Sequence, residues 1–97
     1  MQEASSTVLH FGQQDGRYLF DLFARIREII CIEWGLVALD VRPESHLFKD
    51  FGADPQSMIE VAMAMEEEFN IAISDEQLEH VETVSDLSRL ADGLTKF

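Results

Sequence analysis

Met58, Val61, Ala62, Met65 and Phe69 recur at spacings of three and four residues behind an Asp54-Pro55 step. That rhythm sets one apolar side chain per turn on a single face, so the stretch is an amphipathic helix in need of a surface to pack on. Asp54 suits the N-cap, and Pro55 suits the first helical position, where a missing N–H costs nothing. The expected helix ends at about residue 69. Its remaining surface carries Pro55, Gln56, Ile59 and Met63, bordered by Glu60, Glu66 and Glu67. Ile59 and Met63 are either ordinary scattered surface residues or the anchors of a docking ridge whose carboxylates steer a basic partner.

That surface is supplied by the rest of the chain. Over residues 18–34 the residues Leu19, Leu22, Phe23, Ile26, Ile29, Ile30 and Trp34 line one broad helical face, and Gly35 ends it as a C′ glycine. Residues 36–52 form a long connection with Leu39, Val41, Leu47, Phe48 and Phe51 as apolar anchors and a break at Arg42-Pro43. Ser74 or Asp75 starts a short helix holding Leu78 and Val81. Thr83 with Asp86 makes a capping box for a last helix with Val84, Leu87, Leu90, Ala91 and Leu94 on one side. The expected architecture is all-α, a small bundle of three main helices and one short one spanning residues 18–97. Residues 1–17 show no sustained period and are expected to be a flexible tail, with Val8, Leu9 and Phe11 able to pack locally.

Charge and composition narrow the function. The 97 residues carry 19 acidic and 7 basic side chains, a net charge of −12, which repels nucleic-acid phosphates and favours basic protein partners. Apolar residues make up 46% of the chain, which excludes a disordered acidic tail. Cys31 is the single cysteine and excludes an internal disulfide. No basic stretch followed by an apolar one opens the sequence, and no apolar run is long enough to span a bilayer, so a cytoplasmic address is expected.

Little points to catalysis or metal. His10, His46 and His80 lack the spacing of a metal site, and Cys31 sits in an apolar helix with no base nearby in sequence. Asp50, Gly52 and Asp54 fail as a calcium loop because Pro55 stands at the required glycine and Val61 at the required glutamate. The carboxylates all read as surface groups, and no enzyme is expected.

The run Asp50-Phe51-Gly52-Ala53-Asp54, the helix with Glu60, Met63, Ala64 and Glu66-Glu67-Glu68-Phe69, and the later Ile73-Ser74-Asp75-Glu76 and Thr83-Val84 together resemble the acyl carrier proteins. The similarity extends from about Leu22 to about Leu94. It implies the helical bundle of that family and a place in fatty-acid, polyketide or related acyl transfer. The family's Asp-Ser-Leu step, whose serine takes 4′-phosphopantetheine from coenzyme A, appears here as Asp54-Pro55-Gln56. Proline has no nucleophilic atom.

The resemblance therefore implies a relative that carries no cofactor at the usual position. Its partner is then a basic-surfaced acyl-transfer or synthase-type enzyme, met through Asp54, Gln56, Ile59, Glu60, Met63, Glu66 and Glu67. The alternatives are a working carrier that bears 4′-phosphopantetheine on Ser57, and a structural subunit that has lost both roles. Ser57 lies roughly 200° around the helix and about 3 Å along it from Pro55, and at the third helical position it is expected to bond locally. Ser45 and Ser74 lie in connections and have less claim.

Overall fold

The computed structural model describes residues 16–95, with side chains from residue 21 onward. Four α-helices make up the fold: α1 (Gly16–Trp34), α2 (Pro55–Phe69), α3 (Asp75–Glu79) and α4 (Val84–Thr95), with a 3-10 turn at Ala38–Asp40. This is the all-α bundle of three main helices and one short one expected from the periodicity. Helix α1 begins at Gly16, two residues ahead of the expected start at residue 18 and inside the segment expected to be a tail. The packing expected of Val8, Leu9, Phe11 and Leu19 lies outside the described side chains.

The stripe spacing dictates which faces are buried. Leu22, Phe23, Ile26 and Ile30 of α1 join Met58, Val61 and Met65 of α2 and Val84, Leu87 and Ala91 of α4 in one buried cluster, completed by Val41, Leu47 and Val81. Burial of this stripe, more than helix propensity, holds such short helices in place. Helices α1 and α2 run antiparallel. Trp34 at the end of α1 donates its indole N–H to the Ser57 carbonyl near the start of α2 (3.2 Å), and Arg25 pairs with Glu68 near the end of α2. The Trp34 ring also meets Phe51 edge-on, with centroids 6.4 Å apart.

Several helix ends are finished locally. Gly35 sits at φ +69°, the left-handed geometry a C′ residue needs, and its N–H reaches the Cys31 carbonyl at 2.8 Å. Asn70 closes α2 at φ 56°, a conformation its short polar side chain tolerates. Ser74 and Gln77 cap α3 reciprocally. Thr83 Oγ1 accepts the Asp86 N–H (3.1 Å), while Asp86 Oδ2 accepts the N–H groups of Thr83 and Glu82 (both 3.0 Å).

The connection between α1 and α2 is tied to the start of α4. Leu47 N–H donates to the Glu82 carbonyl (2.8 Å), Val84 N–H to Ser45 (3.1 Å) and Ser85 N–H to Pro43 (2.8 Å), around an isolated antiparallel bridge between His46 and Thr83. Val41 and Leu47 anchor it in the core, as expected, but Leu39 does not. Leu39 is 88% exposed, within a 3-10 turn that buries none of its residues.

Candidate functional site at the start of α2

The Asp54-Pro55 step opens α2 as a fully formed cap. Asp54 holds an extended backbone (φ −128°, ψ 174°) and its Oδ1 accepts the Ser57 N–H at 2.8 Å. In return the Asp54 N–H donates to Ser57 Oγ (2.8 Å), and the Ser57 hydroxyl donates to the Asp54 carbonyl (3.0 Å). The Ser57 oxygen thus both accepts and donates within the cap, and its side chain is half-buried. Pro55 and Gln56 stand exposed at the leading edge of the helix.

Hydrogen bonds to the charged form depress the Asp54 carboxyl. The Ser57 N–H is the main cause, followed by the Ser57 hydroxyl, against a slight opposing effect of desolvation. At the Asp86 cap, partial burial pushes the carboxyl up, but the N–H groups of Glu82 and Thr83, the Thr83 hydroxyl and Arg89 bring it below its ordinary value. Both folded values are lowered. The stability they contribute is therefore complete above the unfolded carboxylate value and is lost as pH falls through the folded ones.

That sign is open to measurement. A D54N/D86N variant keeps a side-chain acceptor at each cap while removing the charge. Thermal melts from neutral pH downward should show wild type ahead at neutrality and the gap closing on acidification. Comparison with the variant cancels the relief of self-repulsion that any chain of charge −12 gains in acid. A gap constant with pH would mean that the charges add nothing.

The surface residues singled out in the sequence divide into two places. Pro55 and Ile59 line an open pocket of about 350 Å³ between the start of α2 and α3, with Phe48, Met58 and Leu78 as its other apolar walls and Asp75 and Glu79 at its rim. Met63, Glu60 and Glu67 instead border a groove on the α1 side, where Glu33 faces them. Ile59 and Met63 are both exposed, at 41% and 61%, yet they serve different depressions. Glu66 is partly spoken for, since its Oε2 accepts the Ile73 N–H at 2.8 Å and so shapes the turn after α2.

A family model for the phosphopantetheine attachment site matches residues 24–91. The chain belongs to that family. Phosphopantetheine-attachment domains present a group to enzymes and are not themselves catalysts, so this chain is not an enzyme. The matched span takes in the second half of α1, all of α2 and α3 and most of α4, and so holds every residue of the buried cluster except Leu22 and Phe23. Domains of this family carry 4′-phosphopantetheine and engage synthase or acyl-transfer enzymes.

Other chemistry is thinly represented at the surface of this attachment-family domain. Among the described residues no group of three or more His, Cys, Asp or Glu side chains is placed to hold a metal ion. Burial pushes the Cys31 thiol up, with Arg27 opposing and Asp40 and Glu28 adding to the rise, so it stays protonated near neutrality. No described helix is long and apolar enough to cross a membrane.

Among the exposed apolar residues, Ile32 and Val37 are not singled out by the sequence pattern. Ile32 on α1 is 73% exposed and lies off the Leu22–Ile26–Ile30 stripe. The available signal was that very displacement: an isoleucine out of register with the core face of its own helix.

Proposed function

We propose that this chain is a docking relative of the acyl carrier proteins, which keeps the fold and acidic helix of a carrier but bears no 4′-phosphopantetheine at the start of α2. In this reading Pro55 occupies the attachment position, and attachment needs a hydroxyl nucleophile that proline lacks. The observation that carries the proposal is the state of the one nearby hydroxyl. The Ser57 oxygen is engaged in both directions by Asp54, and using it as a nucleophile would dismantle the cap of α2. The residues at this end of the helix therefore do not fit the covalent group.

The role left to such a domain is recognition, in the cytoplasm, by a basic-surfaced acyl-transfer or synthase-type enzyme of fatty-acid, polyketide or related metabolism. The net charge of −12 and the exposed Glu60 and Glu67 support a partner of that sign.

Intact-mass spectrometry tests the proposal directly. Protein from its native cell, and protein incubated with coenzyme A and a broad-specificity phosphopantetheinyl transferase, should both show the mass of the unmodified chain. An added phosphopantetheine group would overturn the reading. If a Ser57→Ala variant lost the addition, it would assign carrier function to Ser57.

A further inference from the structure

Helices α1 and α2 leave between them a groove that neither fills. Two depressions meet there. One is bordered by Glu33, Glu60, Met63 and Glu67, the other by Ile29, Ile32 and Glu68, and both include Glu33, Ala64 and Glu67. They are accordingly one trough lying along two antiparallel helices. The small side chain of Ala64 keeps it open between Met63 on α2 and Ile32 on α1. These two are among the most exposed large apolar side chains of the described residues, at 61% and 73%.

Charge says what would cover it. The side-chain carboxylates of Glu33, Glu60 and Glu67 make no hydrogen bond or ion pair within the described residues. The nearby cations are already engaged, Arg25 by Glu68 and Glu28 and Arg27 over the Phe23 ring. A second copy of a chain of charge −12 would set carboxylate against carboxylate, and an anionic membrane surface would be repelled likewise. A trough along two packed helices admits a third helix, whose apolar stripe meets the floor while flanking cations meet the walls.

We infer that the α1/α2 groove is the docking site for a basic amphipathic helix of a partner protein, with Ile32 and Met63 as its apolar anchors and Glu33, Glu60 and Glu67 as its charged walls. The inference deepens the docking reading above, on which it rests, and adds to the exposed face of α2 a second wall supplied by α1. Ile59 and the α2/α3 pocket lie outside it.

A synthetic peptide serves as the probe: about 18 residues, helical, with a leucine stripe flanked by lysine and arginine. A scrambled peptide of the same composition is its control. Titration followed by fluorescence anisotropy and amide chemical-shift mapping should place the striped peptide on Ile29, Ile32, Met63 and Ala64, more tightly than the scrambled one and more weakly as salt rises. Ile32→Ser and the charge reversal E33K/E67K should each weaken it by about tenfold. Ile59→Ser and Glu79→Lys, on the other depression, should change it less than about twofold. Ile32 and Glu33 are exposed, so these variants keep the fold.

Equal binding of the scrambled peptide, indifference to the Ile32 and Glu33 variants, or no binding at all would each overturn the groove. A footprint on the α2/α3 pocket would overturn it too, while leaving a docking function in place. The docking-only reading fails separately, on a phosphopantetheine adduct in the intact-mass measurement.

Discussion

Replacing Pro55 with serine is expected to let the chain take phosphopantetheine at the start of α2. The exchange sits at an exposed position, at the first residue of a helix whose cap is made by Asp54 and Ser57 and not by residue 55 itself. Serine is acceptable there, and the loss of proline's restraint on the unfolded chain costs only about 0.4–1 kcal/mol. What it adds is an exposed hydroxyl beside the open pocket of Phe48, Met58, Ile59 and Leu78. Gln56 also departs from the apolar residue of the acyl carrier pattern, so P55S/Q56L should be modified faster than P55S alone. Incubation with coenzyme A and a phosphopantetheinyl transferase, read by intact mass, gives the answer. If neither variant gains the group while a conventional carrier in the same tube does, Pro55 does not stand at the attachment position.

The second large effect concerns stability. Leu87 is fully buried and belongs to the same cluster as Ile26 and Ile30 of α1 and Val61 and Met65 of α2. Truncation to alanine removes its transfer free energy and leaves a cavity where three helices meet, a loss of about 2–5 kcal/mol. Domains of this size are stable by only about 5–15 kcal/mol, so Leu87→Ala should bring the fold close to its limit. Urea denaturation would show a lower midpoint with an unchanged slope. Ile32→Ser, on the exposed side of α1, is the comparator and should stay within about 0.5 kcal/mol of wild type. A loss at Leu87 below about 1 kcal/mol would mean that α4 is not packed as described.

Much of the bundle was legible because its signals are local. The stripe from Met58 to Met65, the Asp54-Pro55 start, Gly35 at the end of α1 and the caps at Ser74 and Thr83 each depend on residues within one or two turns. Helix α1 starts two residues ahead of where periodicity places it, since Gly16 and Arg17 carry no apolar rhythm to announce it.

What spacing could not supply was the relation between helices. Ile59 and Met63 sit one turn apart and read as one ridge, but only the positions of α3 and α1 decide that one borders a pocket and the other a groove. Ile32 gains meaning only beside Ala64. Leu39 reads as an anchor by its chemistry alone, and the 3-10 turn in which it lies leaves no hydrophobic rhythm. The bond from Ile73 N–H to Glu66 spans the turn after α2, which no periodic pattern encodes. The chemistry at Pro55, by contrast, needs no geometry to read.

The bonds joining residues 43–47 to residues 82–85 have a wider consequence. They bring the two ends of the α2–α3 excursion to one place, like the clasp of a purse whose contents hang below the frame of α1 and α4. The exposed tip of α2 takes no part in that closure. A protein built this way can exchange a residue at the tip of α2 without loosening the fastening that gives it shape.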